Sequence, residues 1–440
     1  MQRLIINKKT KNKLMTMILL FFVVFNPPII RGISFTPIVL VFSFVYVVVN
    51  SRRASSIIYS SMVSRWLRIL GIIFVYYLII VVLSIFMHTE QWGTLIIGYF
   101  QTVAYNVAIL FVSLFVCISS QKRNYSDDDV FDCYIGAGVI EACLAILAFI
   151  SHPIKTIMNN LVIRNSTSEM IVGTMSNVWA FRNYGFAATL FDSFGLAMSI
   201  LALIAFCQAI VRGKLTYYIL SAMIGFAACI NARTSMVLIA AGIFVILMLS
   251  RGTGGNAIFR KVLSVLLLVV AVVFFVRFLN SGSATALWLR KGIDSIKSVF
   301  KGEEVTGFFA IILDEIAAPE DPFMLLFGCG LLPHYLGYKS MDMGYFQNLW
   351  KFGIIGSVLL YSYYLFPLSR WYKKKDRNSI IAIMIFMVLA IYLFKLNVFG
   401  YGIGTTVFMP MIMFELNTIG VSEGKRAITD RITTLREIKA

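Results

Sequence analysis

Two arginines, Arg182 and Arg233, each lie where a long apolar run meets a short polar turn. A guanidinium group stays charged at any physiological pH and binds phosphate oxygens through paired hydrogen bonds. Two such groups at one face of a membrane would suit the diphosphate of a lipid-linked substrate. The alternative is that their long stems only anchor helix ends by reaching toward the headgroups.

A third arginine, Arg290, belongs to residues 280–349, the longest stretch of mixed polarity in the chain. Four apolar residues recur there at near-helical spacing: Trp288, Ile293, Ile296 and Phe300. This spacing predicts a helix on the membrane surface that directs Arg290, Lys291 and Lys297 toward water or headgroups. Arg290 is therefore a further candidate for binding an anionic substrate.

The same stretch contains His334, which follows Gly328-Cys329-Gly330, and Asp342, which precedes the next apolar run. Both side-chain types can accept a proton from an attacking hydroxyl, so His334 and Asp342 are candidate catalytic bases. Each also has a simpler interpretation. His334 would be an ordinary surface histidine, and Asp342 would only cap the helix that follows it.

Ionisable residues also interrupt the apolar runs themselves, at Glu141, Asp192 and Lys395. Charged groups are costly inside a membrane, so such residues either serve a function or pair with another polar group. The sequence leaves both interpretations open.

These residues are embedded in a very apolar chain, of which 59% is hydrophobic and 14% is charged. Runs of about 18 or more apolar residues recur, and each is long enough to cross the hydrocarbon core as a helix. The sequence therefore predicts an all-α polytopic integral membrane protein. The net charge of +18 does not indicate nucleic-acid binding, because the basic residues are spread over short loops between the runs. No Cys-x-x-Cys pair or metal-ligand spacing occurs, so we expect no metal and no cofactor.

We predict about 12 transmembrane helices, near residues 14–30, 33–49, 66–87, 94–118, 130–150, 186–211, 215–230, 236–249, 262–279, 350–368, 380–399 and 404–419. Lysine and arginine are more frequent in the loops on the side of the membrane that also holds both termini. This bias predicts that both termini are cytoplasmic. The chain would form a single membrane domain, residues 1–440. It would carry a smaller outer loop at 151–185, a large structured outer loop at 280–349 between helices 9 and 10, and a cytoplasmic tail at 421–440.

Several short motifs follow one another in a set order between residues 181 and 356. They are Arg-x-x-Gly-Phe from Arg182, the turn Ala232-Arg233-Thr234-Ser235, the Gly-x-Gly at Gly328, and the spaced set Asp342, Gly344, Tyr345, Leu349 and Gly353. In order and placement they resemble the superfamily of O-antigen polymerases and O-antigen ligases, and the Wzy-type polymerases in particular.

The resemblance implies a metal-independent glycosyltransferase of lipopolysaccharide biosynthesis in the bacterial inner membrane. Such enzymes transfer a growing glycan from undecaprenyl diphosphate to a sugar hydroxyl of another lipid-linked repeat unit, at the periplasmic face. The resemblance also implies that Arg182 and Arg233 hold the diphosphate while a residue of the large loop assists the acceptor hydroxyl. A chain-length regulator protein would be a further partner.

Two departures from the family pattern bear on the choice of function. Met341-Asp342-Met343 stands where ligases typically carry a His-Asn pair, which favours a polymerase. Many relatives have an arginine shortly before the Gly-x-Gly, whereas residues 306–309 contain none, so Arg290 or Lys301 would have to substitute. The alternatives are a ligase that joins glycan to lipid A core and a flippase for lipid-linked oligosaccharides. The small number of charges within the apolar runs disfavours the flippase.

Overall fold

The structure is a computed structural model in which the larger described segments are residues 8–30, 33–87, 89–163, 182–187, 191–250, 318–337, 343–373, 377–393 and 409–419. Between residues 250 and 318, it describes residues 262, 273, 276–283, 285–287, 289–291 and 293–294. All structural statements below concern these residues.

The first helix, α1 (Lys8–Phe25), ends earlier than the predicted first span, which extended to residue 30. Asn26 has a left-handed φ of 48°, and Pro27 lacks the N–H that a further helical turn would need. The chain then forms a two-stranded antiparallel hairpin and a second helix. These elements are β1 (Pro28–Ile30), β2 (Ile33–Ser34) and α2 (Phe35–Val49).

A short amphipathic helix, α3 (Ser51–Ile58), follows α2 at an angle of 92°. Its Ala54 and Ile57 are buried, whereas Arg52 and Arg53 are exposed. A helix with one apolar and one basic face, placed at the end of a membrane-embedded helix, suits a position in the plane of the membrane surface.

The remaining helices form one packed bundle. They are α4 (Ser61–Met87), α5 (Trp92–Arg123), α6 (Asp127–Ile150), α7 (His152–Ile163), α8 (Phe191–Arg212), α9 (Leu215–Cys229), α10 (Arg233–Leu249), α11 (Pro322–Phe327), α12 (Gly344–Lys373) and α13 (Arg377–Tyr392). Short 3-10 turns occur at Thr89–Gln91 and Pro333–Leu336, and residues 409–419 are also helical. α8 is central: it packs against α6, α9, α10 and α13, and nearly all of its side chains are buried.

Within the described segments, five helices are long and apolar enough to cross a membrane: α4, α5, α6, α8 and α12. The bent pair of α2 and α3 makes a sixth if it counts as one span, and α9, α10 and α13 are shorter apolar helices. The chain is therefore a multi-pass membrane protein built from helices, with one small hairpin. Most of the predicted ninth span lies outside the described residues, and the count of about 12 stays a prediction.

Ion pairs gather at the end of the bundle where α1 and α6 begin and α5 and α8 end. Lys13 Nζ lies 2.5 Å from Asp129 Oδ1, and Arg212 Nη1 lies 3.0 Å from Asp132 Oδ1. These contacts join α1 and α8 to the first turns of α6. We call this end, with Lys13, Arg123 and Arg212, the basic end. The other end, where α9 stops and α10 starts, is the opposite end.

Candidate functional site

A short non-helical segment, residues 182–187, lies at the opposite end and is fastened to the turn between α9 and α10. The side chain of Asn231 makes the connection. Its Oδ1 accepts a hydrogen bond from the backbone N–H of Asn183 at 2.6 Å. Its Nδ2 donates to the backbone carbonyls of Asn183 at 2.9 Å and Ala227 at 2.8 Å. Both asparagines are buried, so this clamp holds two distant parts of the sequence in a fixed register.

The same segment closes onto α6 through a buried carboxylate. Oε1 of Glu141 accepts a hydrogen bond from the backbone N–H of Ala187 at 3.2 Å, and the carboxyl group also accepts from the backbone N–H of Phe186. Gly185 has a φ of 59°, and a Cβ on it would lie 2.5 Å from Glu141 Oε1 and 2.9 Å from the nitrogen of Ala145. Only glycine meets both conditions. The predicted sixth span began at Phe186, but the helix α8 starts later, at Phe191. The N–H of Ala187 is bonded instead to the Glu141 side chain and to the carbonyl of Tyr184 in a tight turn.

The clamp brings Arg182 and Arg233 to one rim of the bundle. Arg182 Nη1 donates to the hydroxyl of buried Tyr184 at 2.6 Å, and that ring packs edge-on against Phe194 at a centroid distance of 5.5 Å. Arg233 is the first residue of α10. Because Asn183 and Asn231 are bonded directly, Arg182 and Arg233, which lie one and two residues from them in the sequence, are at the same rim. Both side chains are half-buried, so each is held in place yet remains accessible.

The start of α10 adds to the positive potential of this rim. The N–H groups of a first helical turn have no helical acceptor, and the positive end of the helix dipole lies beside them. Arg182, Arg233 and the helix N-terminus therefore form an electropositive surface that complements phosphate. Two like charges held close repel each other, and an anion bound between them would relieve that repulsion.

Close contact between α8 and the start of α10 also holds the rim in place. A Cβ on Gly195 would lie 2.4 Å from the Cβ of Ala232 and 2.6 Å from Ser235 Oγ. Because Gly195 has no side chain, α8 can touch the start of α10 directly. The position of Arg233 is thus fixed by backbone packing as well as by the Asn231 clamp.

A second polar segment at the opposite end, residues 318–337, carries His334. The ring of His334 packs against Tyr335 at a centroid distance of 4.0 Å, and both side chains are exposed. Exposure at the end of the bundle leaves His334 accessible to a substrate. It also fits the simpler interpretation of a surface histidine.

The middle of this segment is held by α12. The backbone N–H of Cys329 donates to the carbonyl of Trp350 at 2.8 Å, and that of Gly330 donates to the carbonyl of Lys351 at 3.0 Å. Burial raises the pKa of the Cys329 thiol to about 11. Because the thiolate is the nucleophilic form, Cys329 is a structural residue and not a nucleophile at neutral pH.

Two glycines allow the backbone of residues 318–337 to cross the backbone of α12 in direct contact. Gly328 has a φ of 84° and Gly353 a φ of 64°. A Cβ on Gly328 would lie 2.6 Å from the nitrogen of Gly353, and a Cβ on Gly353 would lie 2.5 Å from the nitrogen of Gly328. The hydroxyl of Tyr76 bonds to the carbonyls of Phe327 at 2.8 Å and Phe352 at 3.0 Å. The crossing breaks α12 at Gly353 and anchors the segment that bears His334.

The other predicted residues are only partly described. Arg290 and Lys291 are exposed and lie in a helical stretch, whereas Leu289 is buried. The membrane-surface helix that includes Ile296 and Phe300 stays a prediction, since those two residues lie outside the described segments. Asp342 and Lys395 lie outside the described residues, as does the side chain of Asp192. Arg182 and Arg233 are thus the pair that the structure brings together.

Sequence reasoning missed two features of the opposite end. One is the clamp at Asn231. The other is Lys351, whose Nζ lies 4.8 Å from the ring centroid of Tyr77 and 3.4 Å from Thr102 Oγ1. A polar residue inside an apolar run is the signal that would have identified Lys351.

No protein-family model matches this chain, and none of the curated proteins compared with it matches either. Within the described segments, no group of three or more His, Cys, Asp and Glu side chains is arranged to hold a metal ion. A functional assignment therefore depends on the residues and geometry of the rim.

Proposed function

We propose that this chain is an O-antigen polymerase of the bacterial inner membrane. It would transfer a growing glycan from undecaprenyl diphosphate to a sugar hydroxyl of another lipid-linked repeat unit. The observation that carries the proposal is the placement of Arg182 and Arg233 at one rim, held by the side chain of Asn231. Two guanidinium groups that face a common anion fit a diphosphate better than a single anchoring arginine would.

The proposed reaction is a displacement at the sugar carbon that carries the diphosphate. The acceptor oxygen forms a bond to that carbon, the bond from carbon to the diphosphate oxygen breaks, and the electron pair stays on the diphosphate. Arg182 and Arg233 stabilise the charge that develops on this leaving group. A base takes the proton from the acceptor hydroxyl, and His334 and Asp342 are the candidates. Arg290 would contact a more distant part of the anionic substrate.

The proposal includes a membrane orientation. The opposite end would face the periplasm and the basic end the cytoplasm, since basic residues favour the cytoplasmic side. With about 12 helices, both termini and the tail at 421–440 are cytoplasmic, and the loops at 151–185 and 280–349 are periplasmic. The exposed side chains of Arg52, Arg53 and Arg65 near the basic end support this orientation. A chain-length regulator protein is a proposed partner in the same membrane.

The test is the lipopolysaccharide pattern of a deletion strain that is complemented with variants. We expect Arg182→Ala and Arg233→Ala to insert normally but to give lipopolysaccharide with single repeat units only, because the leaving group is no longer stabilised. Arg65→Ala is the matched control, since it removes an exposed arginine at the basic end. It should give the full ladder of chain lengths on a gel.

The outcomes separate the proposed function from its alternatives. A normal ladder from both rim variants would remove the diphosphate role. Loss of the single-unit band in the deletion strain would favour the ligase or the flippase, because a strain without a polymerase still attaches one unit.

A further inference from the structure

An open groove of about 820 Å³ runs along the outer surface of α4, away from the rim. One wall is the exposed face of α4, and Leu359 of α12 forms part of the other wall. Gly71 lies in the groove, and a Cβ on it would meet no atom within 4 Å. The opposite face of α4 is packed inside the bundle, where Trp66 stacks on Tyr363 at a centroid distance of 5.1 Å.

The lining changes from polar to apolar along the groove. Tyr59, Ser64 and Arg68 lie near the basic end, and the residues beyond them are mainly aliphatic, including Ile72 and Val75. Arg68 is exposed and donates from Nη2 to Ser64 Oγ at 3.4 Å. Tyr59 is 80% exposed, in keeping with the depth of lipid headgroups, where tyrosines are enriched.

Further exposed arginines lie close in the sequence to this polar end of the groove. Arg52 and Arg53 project from α3, and Arg65 lies one helical turn before Arg68. In the described part of the chain, no carboxylate forms an ion pair with any of these four arginines. The polar end of the groove, at Tyr59, Ser64 and Arg68, therefore complements an anionic headgroup. The aliphatic part beyond it complements a hydrocarbon chain.

The depth of the groove matches a single leaflet of a bilayer. From Arg68 to Ile79 the helix rises roughly 16 Å, at 1.5 Å per residue. Half of a hydrocarbon core of about 30 Å is roughly 15 Å. Near its far end, the hydroxyl of Tyr76 is bonded to the carbonyls of Phe327 and Phe352, so its ring and not its hydroxyl faces the groove. A polyprenyl chain long enough to cross both leaflets would exceed this length.

We infer that the groove along α4 binds one acyl chain of an anionic phospholipid, with the lipid phosphate held by Arg68. This site is separate from the rim, so it does not depend on the proposed polymerase activity. It would favour anionic lipid in the leaflet at the basic end and would secure the turn between α3 and α4, which lines the groove with Ile58 and Tyr59.

The experiment is native mass spectrometry of the purified full chain in detergent. The protein is offered phosphatidylglycerol and phosphatidylcholine with identical acyl chains, in equal amounts. We expect the unmodified chain to retain one phosphatidylglycerol with a preference of about tenfold. Gly71→Trp should abolish retention by filling the groove. Arg68→Ala should keep some lipid but lose the preference for the anionic headgroup.

Gly93→Trp provides the matched control, because a Cβ on Gly93 also meets no atom within 4 Å and this glycine lies outside the groove. It should retain phosphatidylglycerol like the unmodified chain. Equal retention of the two lipids by the unmodified chain would overturn the inference, as would unchanged retention by Gly71→Trp. If undecaprenyl phosphate is offered as a third lipid, stronger retention of it than of phosphatidylglycerol would also overturn the inference. Should Gly71→Trp fail to fold, the exposed substitution Arg68→Ala still decides the question.

Discussion

At the scale of single residues, the rim depends on holding two positive charges together. The Asn231 clamp supplies one donor and one acceptor to the backbone of Asn183, and Glu141 accepts from the backbone N–H of Ala187. None of these contacts involves a guanidinium group of Arg182 or Arg233. The Asn231 clamp and Glu141 therefore position the backbone segment that carries Arg182, and Nη1 of Arg182 is itself bonded to the hydroxyl of Tyr184.

Gly185 is the residue at which this support is most sensitive. Gly185→Ala should destabilise the fold by well over the roughly 1–2 kcal/mol of left-handed strain, because the methyl group also collides with Glu141 and the backbone of Ala145. Gly337→Ala is the matched control, since Gly337 has a φ of 81° but open space around its Cβ position. Thermal melting in detergent measures both. Equal losses would show that the contact with Glu141 contributes nothing.

The sequence identified the rim arginines but not their support. An arginine where a long apolar run meets a polar turn is visible from charge and hydropathy alone, as Arg182 and Arg233 were. The bonds of Asn231 were not visible, because they join residues 48 positions apart through backbone atoms. Such a contact depends on how α8, α9 and α10 pack, which no local pattern encodes.

At the scale of elements, the backbone contact between Gly328, which follows α11, and Gly353 of α12 fixes the segment that bears His334. Gly353→Ala should lower the melting temperature strongly and detach this segment. The added methyl group would overlap backbone atoms, which cannot rotate away. Gly282→Ala, at a φ of 72° with open space, should cost only left-handed strain. Protease cleavage within residues 318–337 reports the detachment. Resistance equal to that of the unmodified chain would contradict the account.

Helix boundaries were predicted well where hydropathy changes sharply and poorly where polar contacts override it. α4, α5 and α6 begin within about five residues of the predicted spans, because charged or polar residues flank apolar runs. The first span was drawn too long, since the residues after Phe25 are apolar but form a hairpin. The start of the sixth was misplaced because Phe186 is apolar yet bonded to Glu141.

At the scale of the whole molecule, the account requires the two ends of the bundle to face different compartments. A membrane-impermeant maleimide applied to intact spheroplasts should label His334→Cys and not Arg65→Cys. Both positions are exposed, and they lie at opposite ends. The parent chain is the control, and its Cys329 should stay unlabelled at pH 7 because the raised pKa keeps that buried thiol neutral. Labelling of Arg65→Cys alone would reverse the orientation and exclude the proposed reaction.

The class of the molecule followed from composition, but its function did not. Apolar runs dictate membrane-crossing helices for any chain, whatever its activity. The choice among polymerase, ligase and flippase depends on a few polar residues at one end, and one of them, Asp342, lies outside the described residues.

The most direct test of the central claim is the affinity of the purified chain for a polyprenyl diphosphate. The rim should bind the diphosphate in preference to the corresponding alcohol, and Arg182→Ala and Arg233→Ala should each weaken binding about 10- to 100-fold, since a hydrogen bond to a charged group contributes about 1.5–3 kcal/mol. Arg65→Ala should leave the affinity unchanged. Unchanged binding in both rim variants, or equal losses in all three, would contradict the account.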